Sequence, residues 1–408
     1  MLEIHIFVLY YIGVKGNNRF GKRKSNKRIG NIKSYLIKKR RKYYALKRFG
    51  TAFGGYKMME NYPVPECGPD DIILEIKAAA ICGADMKHWG VDNGYDDTNI
   101  TPDQQQSVRG HEFAGEIVKV GENVKDWHIG QRVVSDNSAH VCGVCPACEQ
   151  GDFLCCEHKV NLGLDNNTWG GGFSKYCKVP GEILAIHKHA IWEIPEGIKY
   201  EEACVLDPIC NAYKAVAQQS HLIPGQDVVV FGTGPLGLFS VQVAKLMGAV
   251  NIVMVGLDDD VKVRFGVAKE LGATHCVNGS KEDVVARCTE ICGRDNLGLV
   301  IECSGANIAL KQAIEMTRPN AEIVRVGMGF KPLEFSINDI TAWNKSIIGH
   351  MAYDSTSWRN CIRLLQSGQI KVQPMITHRL GLSQWQEGFD KMAKKEAIKV
   401  IFHYDYED

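Results

Sequence analysis

Apolar and polar residues alternate along Asp71-Ile-Ile-Leu-Glu-Ile-Lys77, Glu116-Ile-Val-Lys-Val120 and Arg132-Val-Val134. A two-residue period marks a half-buried strand, and glycine and proline punctuate the gaps between these runs. The pattern predicts an all-β body interrupted by cysteine-bearing loops. After about Val205 it changes. Val228-Val-Val-Phe231 is a short continuous apolar run, followed by a glycine turn and then Leu238, Val241, Ala244 and Met247 at helical spacing. Ile252-Val-Met-Val255 predicts the next strand and Val261 to Leu271 the next helix. His275-Cys-Val277, Leu299-Val-Ile301 and Glu322-Ile-Val-Arg-Val326 continue the series. Strands alternating with helices imply βαβ units on a parallel sheet. A helix from Trp358 to Gln366 and further short strands close the chain and are expected to fold back onto the first body.

Charge changes this picture at one end only. Residues 1–42 carry 13 Lys and Arg against one acid, leaving 35 bases and 46 acids in the rest. A mildly acidic body argues against a nucleic-acid surface. The basic arm, with Lys38-Lys39-Arg40-Arg41-Lys42 at its end, reads as a disordered extension. Its apolar run Ile4 to Val14 is shorter than the ~20 residues a bilayer span needs, so no membrane association is expected. The run also precedes its positive charges, the reverse of a secretory signal. Without export, the 15 cysteines are expected as reduced thiols in the cytoplasm, and a tight cluster of them points to metal.

Such a cluster exists. Cys142-Gly-Val-Cys145-Pro-Ala-Cys148 is followed by Cys156 eight residues on. Four thiolates on a short loop close a tetrahedron around Zn²⁺ with no open position, which makes the site structural. A CxxC pair alone would read equally as a redox couple; the third and fourth cysteines favour zinc. Cys155 is the competing fourth ligand, and spacing favours Cys156.

Upstream lie Cys82-Gly-Ala-Asp85 and Gly110-His-Glu-Phe-Ala-Gly115. Each is weak alone, since a lone cysteine is usually packing. Together with the cysteine loop, the chain resembles the medium-chain zinc alcohol dehydrogenases from about residue 42 to its end, and more narrowly their sorbitol, threonine and polyol dehydrogenase branch. The resemblance implies Cys82, His111 and Glu112 as ligands of a catalytic zinc. It places a further acid at Asp207, in Asp207-Pro208-Ile209, one methylene shorter than the branch's glutamate and so better suited to a water-mediated contact. Asp85 matches the residue that orients the zinc histidine through its second ring nitrogen. An incompletely ligated Zn²⁺ polarises an alcohol oxygen and eases loss of its proton. The family's usual hydroxyl residue two positions after the zinc cysteine is Ala84 here. Proton transfer then falls to His88, Lys87 or a water on Glu112, with His88 preferred. Where the branch carries an Arg-Tyr pair for substrate hydroxyls, this chain has Gly349-His-Met-Ala352-Tyr353: the tyrosine stays, and His350 either compensates for the arginine or packs. Trp169 is either a pocket wall or a core aromatic.

Gly232-Thr-Gly234-Pro235-Leu236-Gly237 follows the apolar run at Phe231 and opens a helical pattern. Strand, glycine turn and helix in this order form a dinucleotide cradle, with the pyrophosphate at the helix N-terminus. Asp258, Asp259 and Asp260 follow about 20 residues on. Asp258 is the candidate for the adenosine ribose, and the acidic field favours NAD(H), while Lys262 and Arg264 leave NADP(H) open.

The expected fold class is α/β: a GroES-like β-barrel catalytic domain at 43–205 plus a Rossmann doubly wound parallel sheet domain at 206–345. Residues 346–408 return to the barrel, and 1–42 form the extension. The expected protein is an oxidoreductase holding two Zn²⁺ per chain and moving a hydride between NAD(P) and a secondary alcohol, a small polyol above all. A homodimer or homotetramer is implied by the resemblance. The competing class is a non-catalytic zinc- and nucleotide-binding protein on the same scaffold.

Overall fold

The computed structural model describes residues 44–48, 55–86, 89, 107–165, 169–329 and 331–406. The basic arm, Lys87 and His88 lie outside these. Nine strands come first: β1 (Ala45–Arg48), β2 (Tyr56–Met59), β3 (Ile72–Ala80), β4 (Glu112–Val120), β5 (Arg132–Ser135), β6 (Ser138–His140), β7 (Val160–Asn161), β8 (Tyr176–Val179) and β9 (Ile191–Glu193). Six follow in alternation with helices: β10 (Asp227–Phe231), β11 (Ile252–Gly256), β12 (His275–Asn278), β13 (Leu297–Glu302), β14 (Glu322–Arg325) and β15 (Ser346–Gly349). β16 (Ile376–Gly381) and β17 (Lys399–His403) end the series.

β3, β4, β5 and β9 pair antiparallel in that order, with β8 also on β3. Ile72, Leu74, Ile76, Phe113 and Ile117 turn inward and meet Phe173, Phe389 and Phe402 in one buried core. The return of the C-terminus is literal: β17 pairs antiparallel with β3, Ile401 opposite Ala80. This carries a residue nearly 320 positions away to the mouth of the first body.

β10 to β15 form a wholly parallel sheet in the order β12-β11-β10-β13-β14-β15. Val228, Val230, Ile252 and Met254 pack on one face, while Val229, Phe231, Val253 and Val255 pack on the other. Helices cover both faces, so these strands read as continuous apolar runs rather than alternating ones. The strand order reverses between β10 and β13, which opens a crevice at their carboxyl ends. β15 extends this sheet past the boundary expected at 345. The helix expected from Val261 begins instead at Arg264. Asp258–Asp260 form a separate short turn, whose start is capped by the Asp260 carboxylate accepting the Leu257 N–H at 2.8 Å.

Candidate active site

Cys82 lies two residues beyond β3, while His111 immediately precedes β4 and Glu112 opens it, and Ala80 pairs with Glu112 across the ladder. The register therefore brings all three to one end of a rigid antiparallel pair. Their ligand atoms lie within 4.8 Å of one another. Sulfur, imidazole and carboxylate at that spacing suit one zinc ion with a position left open. Glu112 is 1% exposed and its Oε1 has no hydrogen-bond partner. Burial pushes the Glu112 carboxyl well above its usual range, with Lys399 drawing it partly back. Burial likewise raises the Cys82 thiol. With one oxygen lacking any donor, the buried carboxylate keeps a lone pair that a divalent cation would take.

Asp85 sits in the short helical turn Gly83–Met86 and is fully buried. Its Oδ2 accepts the Cys82 N–H at 3.0 Å, and its Oδ1 lies 3.8 Å from His111 Nδ1. The imidazole thus turns Nδ1 to the carboxylate and leaves Nε2 for the metal. Ala84, in the same turn, offers no polar side-chain atom. Asp207, in the first turn of the helix Leu206–Tyr213, is buried but stands outside the three-residue group. Its Oδ2 accepts from Tyr353 Oη at 2.8 Å and Asn137 Nδ2 at 3.1 Å, its Oδ1 from Asn211 Nδ2 at 3.1 Å. Burial raises its pKa, with His111 and Tyr353 acting the other way. His350 packs one residue further out, Nε2 3.3 Å from Asn211 Oδ1 and Nδ1 2.6 Å from Gln219 Oε1. Trp169 joins the barrel core, and the glycines after it serve close packing: a Cβ on Gly172 would meet the Gly110 carbonyl at 2.9 Å.

Sequence reasoning missed two members of this site. Lys399, in β17, places Nζ 2.5 Å from Glu112 Oε2 and donates to the Ile81 carbonyl at 3.0 Å. Burial lowers its pKa, but Glu112 and Cys82 outweigh this and leave it raised. Its signal was a lysine inside the apolar run Ala397 to Phe402. Asn137 is the other, held at φ +59° on a turn where glycine or asparagine is favoured.

Cys142, Cys145, Cys148 and Cys156 form the second group. Sγ separations of 3.5 Å for Cys145–Cys148, 3.6 Å for Cys156–Cys142 and 4.0 Å for Cys142–Cys148 match the ~3.8 Å edge of a tetrahedron with ~2.3 Å Zn–S bonds. Cys156 is buried in the group, whereas Cys155 faces solvent.

At the sheet's crevice, Gly232 ends β10 at φ +94°, a conformation that favours glycine. A Cβ on Gly237 would meet the Gly232 carbonyl at 1.8 Å. A Cβ on Gly234 meets nothing within 4 Å, so that position is open on the ligand side. Pro235 starts the helix Pro235–Leu246, as its fixed φ suits, with Leu236 behind it. Asp258 lies beyond β11, half-exposed, bonded by Asn278 Nδ2 at 2.7 Å and paired with Lys281 at 3.3 Å. The helix bearing Asp207 packs on the helix bearing Gly237, which joins the two halves of the site.

A barrel holding a sulfur–imidazole–carboxylate group beside a doubly wound nucleotide sheet defines a metal-assisted, nicotinamide-dependent oxidoreductase. Residues 68–189 match the alcohol dehydrogenase GroES-like domain and 235–367 the zinc-binding dehydrogenase domain. The chain is 77% identical over 364 residues to an uncharacterized zinc-type alcohol dehydrogenase-like protein of Escherichia coli, YdjL, covering 89% of this chain and 99% of that one. It is 30% identical to the sorbitol dehydrogenase of Halalkalibacterium halodurans over 85% of this chain and 95% of that one. The structure of 2R,3R-butanediol dehydrogenase from Bacillus subtilis superposes with a TM-score of 0.75 at 29% identity, over 89% of this chain and all of that one. The chain belongs to the zinc-type medium-chain alcohol dehydrogenases, and it is an enzyme of NAD(P)-dependent alcohol oxidation.

Proposed function

We propose that this dehydrogenase oxidises a small polyol or other vicinal hydroxy compound to the ketone, holds two zinc ions per chain and favours NAD(H). The convergence of Cys82, His111 and Glu112 at the β3–β4 end carries the reading. Zinc held there would supply Lewis-acid polarisation of the alcohol oxygen, and the nicotinamide would accept the hydride. The chain's own residues do the rest. Asp85 fixes the His111 ring. Asn137 and Tyr353 hold the Asp207 carboxylate beside the metal group, where it can contact water or a second substrate hydroxyl rather than complete the ligand set. Burial holds the Tyr353 hydroxyl protonated, far above its usual range, so it remains a donor. Gly232, Gly234 and Gly237 admit the pyrophosphate to the helix N-terminus. Because Ala84 cannot pass on a proton, His88 is the proposed relay.

The polyol preference rests on the relatives' named substrates and on the polar set Asp207, Asn137 and Tyr353. Asp258, at the end of the second strand of the nucleotide fold, supports NAD(H). Fifteen cysteines without a disulfide support a reducing, cytoplasmic setting. Assembly as a homodimer or homotetramer is supported by β15, an edge strand with little burial that carries exposed Ile347 and is flanked in sequence by exposed Ile337, Trp343 and Met351. No helix among the described residues is long and apolar enough to cross a membrane.

A screen of four- to six-carbon polyols with NAD⁺ and NADP⁺, run beside metal analysis, tests the reading. Turnover of a polyol by protein with two zinc ions per chain is the expected result. A large NADP⁺ preference would reverse the cofactor assignment, and polyol inactivity beside rapid oxidation of simple monohydric alcohols would reverse the substrate class.

A further inference from the structure

We infer that Arg109 is a positioning residue for the metal-binding histidine, acting through Asp85. The inference rests on the metal-site reading above and goes beyond it.

Arg109 is 3% exposed and sits two residues before His111. Its backbone is pinned on both sides: its N–H donates to the Leu46 carbonyl at 3.1 Å, and its carbonyl accepts from Phe173 N–H at 2.9 Å. Its Nη1 donates to the Leu164 carbonyl at 3.0 Å and to Ser107 Oγ at 3.4 Å. That clamp turns Nε toward Asp85 Oδ1 at 3.8 Å. The same oxygen stands 3.8 Å from His111 Nδ1. Asp85 Oδ1, Arg109 Nε and His111 Nδ1 are all buried, and none has a hydrogen-bond partner elsewhere. Both nitrogens approach the one carboxylate oxygen.

The physical logic is one of charge and aim. Asp85 is fully buried, and its carboxylate has one backbone donor, the Cys82 N–H. A carboxylate in that setting needs a cation beside it or it turns toward water. The Arg109 guanidinium supplies that charge, with Nε 3.8 Å from Asp85 Oδ1. It leaves Oδ2 on the Cys82 backbone and Oδ1 on the histidine ring. One carboxylate thereby aligns two of the three metal-binding residues, and the arginine holds that carboxylate in place. Partners of this kind set the orientation of a ligating imidazole and the affinity of its metal.

The test is metal affinity rather than turnover. Full-length protein is loaded with Zn²⁺ or Co²⁺ and competed with a chelator, and occupancy of each site is followed. Arg109→Met is expected to weaken the Cys82–His111–Glu112 site by about 10- to 100-fold and to shift its Co²⁺ absorption bands. The four-cysteine site keeps its metal and certifies that the variant is folded. Arg109→Lys, which retains the charge, is expected to recover part of the loss. In an Asp85→Asn background, Arg109→Met is expected to add little, because the residue through which it acts is already altered. Unchanged affinity and bands in folded Arg109→Met would overturn the inference, as would a fully additive loss in the Asp85→Asn background. Wild-type protein that binds metal only at the cysteine loop would overturn the metal-site reading and this inference together.

Discussion

Lys399 Nζ lies 2.5 Å from Glu112 Oε2, with 2% and 0% of the two side chains exposed. The pair joins the last strand of the chain to the opening of β4. A buried ion pair adds little net stability as a pair, but removing one partner strands the other charge in a medium that cannot solvate it.

Lys399→Met is therefore expected to destabilise the fold by about 3–5 kcal/mol, read as a lowered midpoint in urea or heat. Adding Glu112→Gln should restore much of that stability while abolishing activity. An unaltered midpoint in Lys399→Met would show that Glu112 does not depend on the lysine.

The glycine turn separates a folding requirement from a binding one. Gly237→Ala drives a methyl into the Gly232 carbonyl and is expected to lower the melting temperature. Gly234→Ala meets no protein atom, so it should melt like wild type yet bind dinucleotide at least tenfold more weakly. Isothermal titration with NADH distinguishes them. Equal affinity in Gly234→Ala would remove the pyrophosphate from that position.

Burial, reinforced by Lys214, lowers the His350 pKa to about 4. The unfolded chain protonates this histidine near ~6.5, well above the folded state. Stability present above pH ~6.5 is thus lost as pH falls toward 4, because the unfolded state binds the extra proton first. The group's share is on the order of 3 kcal/mol at the acid end of that window. His350→Gln should show a shallower loss between pH ~6.5 and ~4 in chemical denaturation; parallel curves for the two proteins would refute the assignment.

Tyr353→Phe removes the hydroxyl whose single proton is shared between Asp207 Oδ2 and the Asp136 carbonyl, each 2.8 Å away. A stability loss of about 1–3 kcal/mol is expected, with kcat falling more than KM rises if Asp207 serves the reaction rather than binding. A change confined to stability would assign the tyrosine to packing.

Cys156→Ser should cost one zinc ion per chain and Cys155→Ser none, since only the former stands within the sulfur tetrahedron. Zinc counting by elemental analysis decides it, and loss of metal in Cys155→Ser would exchange their roles.

What could be read from the chain alone was local chemistry. The four-cysteine spacing, the Gly110-His-Glu run and the Gly232 to Gly237 turn each confine their donors or their backbone freedom within a few residues, so their composition carries their geometry. The strands around them were legible because one face or both must be apolar. The helix start at Arg264 was not, because a separate capped turn at Asp258–Asp260 takes up the residues before it. Arg109, Asn137 and Lys399 were illegible for a different reason. A charged or polar residue in an apolar stretch reads the same whether it faces water or a buried partner. Only the pairing of β17 with β3, and the clamp of Leu46, Leu164 and Phe173 around Arg109, decide which. Sequence alone singled out the candidate metal and dinucleotide groups; long-range strand pairing decided which charges surround them, since burial makes each such charge depend on a partner that no local pattern names.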